Sequence, residues 1–179
     1  MSNPPADARD RQDFVWHVHA YLNDQIKFAD TKAAFVAALA TGVTGALYGA
    51  HVHEHFTGPA GAGRLWPGGV AAAAFGLLIF SLVTCLASIV PRRRSFQPRG
   101  YIYWGAIAEH DSQETYYRQL QSETADALTE HLGHHAYTLA TICKDKYRWL
   151  TWAIVSLVAG GVIGGALLLW APVAASAVK

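Results

Sequence analysis

At 179 residues the chain is long enough for one soluble domain, or for a few membrane spans with a modest soluble part. Its formal net charge of +1 gives no whole-chain argument for binding nucleic acid, although 52% of its residues are hydrophobic. The two cysteines, Cys85 and Cys143, stand apart and form neither a metal spacing nor a disulfide framework, which fits a reduced cytoplasmic face.

The hydrophobicity is clustered. Ala33 to Ala50, Gly68 to Val90 and Leu150 to Ala171 contain neither charge nor proline, and each is long enough to cross about 30 Å of hydrocarbon at about 1.5 Å per residue. The pattern predicts an all-α integral membrane protein with three transmembrane helices and a small cytoplasmic helical module. In chain order the segments are an N-terminal cytoplasmic helix (1–32), a first span (33–52), an outer loop (53–67), a second span (68–90), a cytoplasmic helical segment (91–149), a third span (150–171) and an outer tail (172–179). The first span starts too late, after too polar an approach, for a cleaved signal peptide. Twelve Lys and Arg residues lie in the N-terminal segment and between spans two and three; two, Arg64 and Lys179, lie elsewhere. The positive-inside rule then places the N-terminus inside and the C-terminus outside.

Residues 10 to 31 read as an amphipathic helix, with Phe14, Val18, Tyr21 or Leu22, Gln25 and Phe28 or Ala29 at three- and four-residue steps. No breaker intervenes before Gly42, so this amphipathic helix should run on into the first span. That span holds two columns of small residues, Ala33, Ala37, Thr41, Gly45, Gly49 and Ala34, Ala38, Gly42, Ala46, Ala50, which would let backbones approach closely. Gly160, Gly161, Gly164 and Gly165 repeat the device in the third span, for packing within one subunit or between subunits. The outer loop contains His51, His53 and His55, side chains suited to zinc or copper, ahead of a Gly/Pro-rich stretch.

Pro91 ends the second span, and Arg92, Arg93 and Arg94 follow as a basic anchor for anionic headgroups. Tyr101, Tyr103 and Trp104 fit an interfacial aromatic belt, as do Trp149 and Trp152. A second amphipathic helix is expected from Ser112 to His131, with Gly133 as its break. A further helix should start at His135 and pass through Lys146 into the third span. His131, His134 and His135 then fall in a polar turn.

No nucleotide-binding glycine loop, nucleophile elbow or zinc-protease motif occurs, and no nucleophile stands beside a base; the chain does not read as an enzyme. Attention falls on the membrane entrance N-D-Q-I-K-F-A-D-T-K-A-A-F at 23–35. Asn23, Lys27 and Asp30 share a helix face, and Lys27 is within ion-pair reach of Asp24 and Asp30. This set is either an interfacial salt-bridge ladder or a site for a small anionic, hydrogen-bonding ligand.

The same stretch resembles the opening signature of the transmembrane effectors of bacterial Pycsar anti-phage systems. V-P-R at 90–92 with G-Y-I-Y-W-G-A-I-A at 100–108, and H-A-Y-T-L-A-T-I-C-K-D-K-Y-R-W-L at 135–150, resemble two later blocks of that family. Trp104 departs from the phenylalanine expected there, and the histidine-rich outer loop has no counterpart. The resemblance implies an inner-membrane effector. A neighbouring pyrimidine nucleotide cyclase makes cyclic UMP or cyclic CMP on infection, and the effector responds by impairing the membrane, causing abortive infection.

It also implies a set of ligand-binding candidates. Lys27, Lys32, Arg92 or Lys146 would meet the phosphate, Tyr103, Trp104 or Tyr147 would stack on the base, and Asn23, Asp24 or Asp30 would read the ribose or base edge. No cofactor or metal is required, and a homo-oligomer is expected from the small-residue faces. Two other readings stay open: a scaffold that binds a partner protein through its cytoplasmic helices, and a metal sensor or transporter using His51, His53 and His55.

Overall fold

The computed structural model describes residues 7–57, 65–90 and 100–176. All regular structure among them is helical: α1 (Ala8–Gly49), α2 (Glu54–Thr57), α3 (Leu65–Ile89), α4 (Trp104–Ile107), α5 (Gln113–Ser122) and α6 (Ala125–Ser176). Three of these, α1, α3 and α6, are long and apolar enough to cross a membrane, as the uncharged runs require. The described residues fall into two compact units. A helical module comprises the chain up to Phe28 with the stretch ending at Asp145, and a membrane unit comprises Ala29–Val90 with Lys146 onward.

In the helical module, local capping decides where helices begin. The Ser112 backbone is extended, and its hydroxyl accepts the Thr115 amide at 3.1 Å, starting α5. Glu123 is extended again, ending α5, and the Thr124 hydroxyl accepts the Ala127 amide at 3.2 Å to start α6. The break therefore falls at Glu123 and Thr124, and α6 runs unbroken through Gly133, where the sequence pattern predicts the interruption. A glycine costs a helix only about 1 kcal/mol relative to alanine, whereas a threonine cap satisfies an otherwise orphan amide. Leu132, Ala136 and Leu139 show why the helix persists: they form one buried stripe across the glycine.

Two substitutions separate these roles. Thr124→Ala should lower stability by about 1 kcal/mol through loss of the cap. Gly133→Ala should raise it by about 1 kcal/mol, since a Cβ there meets nothing within 4 Å. Thermal unfolding in detergent, followed by circular dichroism, reads both; a destabilised Gly133→Ala would mean that the glycine marks a real bend.

The N-terminal part of α1 is amphipathic, and its inward face takes the Val18, Leu22 and Ala29 alternatives of the expected stripe, with Phe14 as the departure. Val15, Val18, Leu22 and Ile26 are half-buried, whereas Phe14, Tyr21 and Phe28 are exposed. Both stripes have helical spacing, so periodicity alone does not choose between them; the neighbouring α6 surface does.

In the membrane unit, Ala29, Ala33, Val36, Ala40 and Leu47 form the buried edge of α1. Ala33 and Val36 pack with Cys85, Leu150 and Ala153, and Leu47 packs with Val52, Ala71, Leu78 and Leu167. Lipid is as apolar as these side chains, so close packing and hydrogen bonds, rather than expulsion of water, hold the helices together. Ser81, fully buried on α3, donates to the Ala153 carbonyl of α6 at 2.8 Å.

The glycines divide sharply. A Cβ at Gly160 would lie 3.0 Å from the Ala74 carbonyl oxygen, and one at Gly164 would lie 2.4 Å from Leu47 Cδ1. Around Gly42, Gly45, Gly49 and Gly165 there is nothing within 4 Å. The second small-residue column of α1, including Ala34, Ala38 and Gly42, faces outward and takes no part in packing the described membrane unit.

Candidate functional site

Lys146 is the first residue of the α6 part of the membrane unit, and its ammonium group is drawn inward. Its side chain is only 12% exposed, donating to the Asp30 carboxylate of α1 and, at 2.8 Å, to the Ser88 carbonyl of α3. The Ser88 hydroxyl returns a longer bond of 3.4 Å to the Lys146 carbonyl. Ser88 lies one residue from the end of α3, where carbonyls lack partners within their own helix. One cation thus neutralises a carboxylate, caps a helix C-terminus and joins three helices. Beside it, the Lys32 ammonium lies 5.8 Å from the Tyr147 ring centroid, within cation–π range.

The entrance stretch is divided by these contacts. Asp30, Lys32, Lys146 and Tyr147 belong to the membrane unit, whereas Asn23, Asp24, Lys27, Tyr103 and Trp104 belong to the helical module. Lys27 pairs with Asp24 at 3.1 Å on the exposed surface, an interaction worth little in water. Arg92 lies outside the described residues.

The helical module contains a cavity of about 250 Å³. His131, His134 and His135 line one side, and Tyr101, Tyr103 and Tyr137 contribute much of the rest. The histidines lie within a single helix, so the expected polar turn is absent. The Tyr101 hydroxyl donates to Glu123 at 3.0 Å and its carbonyl accepts the Tyr116 hydroxyl at 3.2 Å. His131 meets the Tyr101 ring edge-on at 5.3 Å, and His110 stacks near it at 6.3 Å. Burial first, then the Glu123 carboxylate, push the Tyr101 phenol up from its ordinary range.

Tyr103, immediately before α4, turns its ring over Gly105. A Cβ at Gly105 would sit 2.5 Å from Tyr103 Cε1, so glycine gives the ring its resting place. Trp104 is 70% exposed, 5.3 Å from the Tyr103 ring.

Asn23 is connected to the cavity in steps. Its amide donates to His19 Nδ1 at 3.3 Å, and the His19 ring lies 5.2 Å from that of His135. Burial lowers the pKa of both imidazoles, with the charge of His19 adding to the effect on His135, so both favour the neutral form outside the apolar spans. A neutral His19 leaves a ring nitrogen able to accept the Asn23 amide.

Ser88, Tyr101, His19 and His135 were not among the sequence-level candidates. Ser88 contributes a backbone carbonyl, which no side-chain pattern reports. His19 and Asn23 do carry a signal, a spacing of four on α1. Next to the end of α1, His51 pairs with Glu54 at 2.8 Å and His53 stacks on Tyr48 at 4.1 Å. Among the described residues, no group of three His, Cys, Asp or Glu side chains is placed to hold a metal ion.

A buried cation thus ties three spanning helices together, and a separate cavity in the helical module is lined by aromatic and imidazole side chains. No curated protein and no solved structure matches the chain. The family model for the Pycsar effector protein domain matches residues 14–173, nearly the whole chain and all three spanning helices, and the protein belongs to that family.

Proposed function

We propose that this protein is the membrane-impairing effector of an anti-phage system, switched on by cyclic UMP or cyclic CMP. The family match over residues 14–173 carries this reading. A neighbouring pyrimidine cyclase supplies the messenger, and the effector itself performs no covalent chemistry. Its N-terminus and the 91–149 segment face the cytoplasm of the inner membrane, in line with the twelve-to-two distribution of basic residues.

The uninterrupted runs of α1 and α6 support a mechanism in which ligand binding biases helices that also span the membrane. A messenger that prefers one arrangement of those helices shifts the population toward it. The outward-facing small residues of α1 support repacking among several copies.

Reconstitution into dye-loaded vesicles tests the reading. Release is expected on adding cyclic UMP or cyclic CMP and not on adding cyclic AMP. Intact vesicles after either pyrimidine nucleotide, with correctly inserted and helical protein, would rule it out.

A further inference from the structure

We propose that the cavity between α6 and the 100–106 stretch is where the cyclic pyrimidine nucleotide binds, with its base against tyrosine and its phosphate against histidine. This rests on the effector reading and assigns that activity to particular residues.

Size is the first argument. At about 250 Å³ the cavity lies just below the usual range of about 300–1,000 Å³ for small-molecule sites. That scale fits a mononucleotide.

Chemistry is the second. His131, His134 and His135 recur at three- and one-residue steps and line the same cavity. Among the described residues no carboxylate lines it; Glu130 approaches His134 at 3.5 Å from the exposed surface, and Glu123 is held by the Tyr101 hydroxyl. Imidazoles donate hydrogen bonds when neutral and gain a proton when an anion approaches, so such a wall favours a single negative charge. The other wall offers the rings of Tyr101 and Tyr103, on which a planar base can stack without demanding a sequence-specific edge contact.

Preorganisation is the third. The Tyr101 ring is held by His110, Tyr116 and His131, and the Tyr103 ring rests over Gly105. Rings already held in place lose little freedom on binding. Asn23, through His19, acts as a positioning residue for His135. Asn23 therefore serves the ligand from a distance, while Lys146 and Asp30 belong to the response.

The test uses the full chain in detergent. Wild-type protein is treated with diethyl pyrocarbonate with and without cyclic UMP or cyclic CMP, and the modified histidines are mapped by mass spectrometry. The nucleotide is expected to protect His131, His134 and His135 but not His17, which is exposed on α1. In calorimetry, Tyr103→Ala should weaken binding about ten- to a hundredfold, as expected for loss of a stacking ring. Gly105→Val, which displaces that ring, should weaken it in the same direction.

Nucleotide binding with unchanged histidine modification would overturn the cavity assignment while leaving the effector reading intact. So would undiminished binding by both tyrosine-wall variants. Absence of binding by either cyclic pyrimidine nucleotide to folded wild-type protein would overturn both.

Discussion

Lys146→Met is expected to lower the unfolding free energy of the membrane unit by about 2–3 kcal/mol, measured by SDS titration in mixed micelles. Methionine preserves most of the stem volume but removes the donors that reach Asp30 and the Ser88 carbonyl. Losing one member of a fully buried ion pair typically costs about 3–5 kcal/mol. Because Asp30 remains 38% exposed, water can recover part of its solvation, and the smaller figure applies.

A double-mutant cycle with Asp30→Asn isolates the pair. A coupling energy of about 1–3 kcal/mol is expected for side chains in direct contact. Additive effects would mean that Lys146 acts through α3 alone. If this contact holds the resting arrangement, Lys146→Met vesicles should also leak before any nucleotide is added. A tight, messenger-responsive Lys146→Met protein would remove the contact from the switching mechanism.

The second large effect is expected at Gly160. Its Cβ position lies against a backbone carbonyl, Ala74, and against the buried Leu78 side chain, so a valine there must push α3 and α6 apart. Overpacking of this kind costs about 1–3 kcal/mol, and the backbone contact puts Gly160→Val toward the upper end. Gly165→Val is the matched comparison, because a Cβ at that position has open space. It should leave SDS resistance of the single chain within about 0.5 kcal/mol of wild type. Equal destabilisation by the two would contradict the helix packing described above. A stable Gly165→Val that no longer releases dye would instead show that the outward glycine face works between copies.

The membrane entrance illustrates how differently neighbouring residues can be read. Asn23, Asp24, Lys27 and Asp30 have helical spacing, which is sufficient to predict that α1 continues through them. Spacing does not decide which partners they take. Lys27 and Asp24 meet because they are one turn apart on the same helix. Asp30 meets Lys146, 116 residues away, because burial next to α3 leaves the lysine few other acceptors. The first pairing is local and the second is tertiary.

The same division runs through the rest of the chain. Long uncharged runs determined the three spanning helices, since hydrocarbon tolerates neither charge nor unpaired backbone. The blocks at 23–35, at 90–92 with 100–108, and at 135–150 pointed to the family, whose model matches residues 14–173. Tertiary packing alone decided the inward face of α1, because two apolar stripes compete there and only the neighbouring surface distinguishes them. It also separated Gly160 and Gly164 from Gly161 and Gly165, which are indistinguishable as a sequence motif. Finally, it carried the 131–135 histidines within one helix rather than a turn and set them with Tyr101 along one cavity. Those residues approach through folding of the intervening α5 segment, and that closure is a property of the folded module rather than of any local pattern.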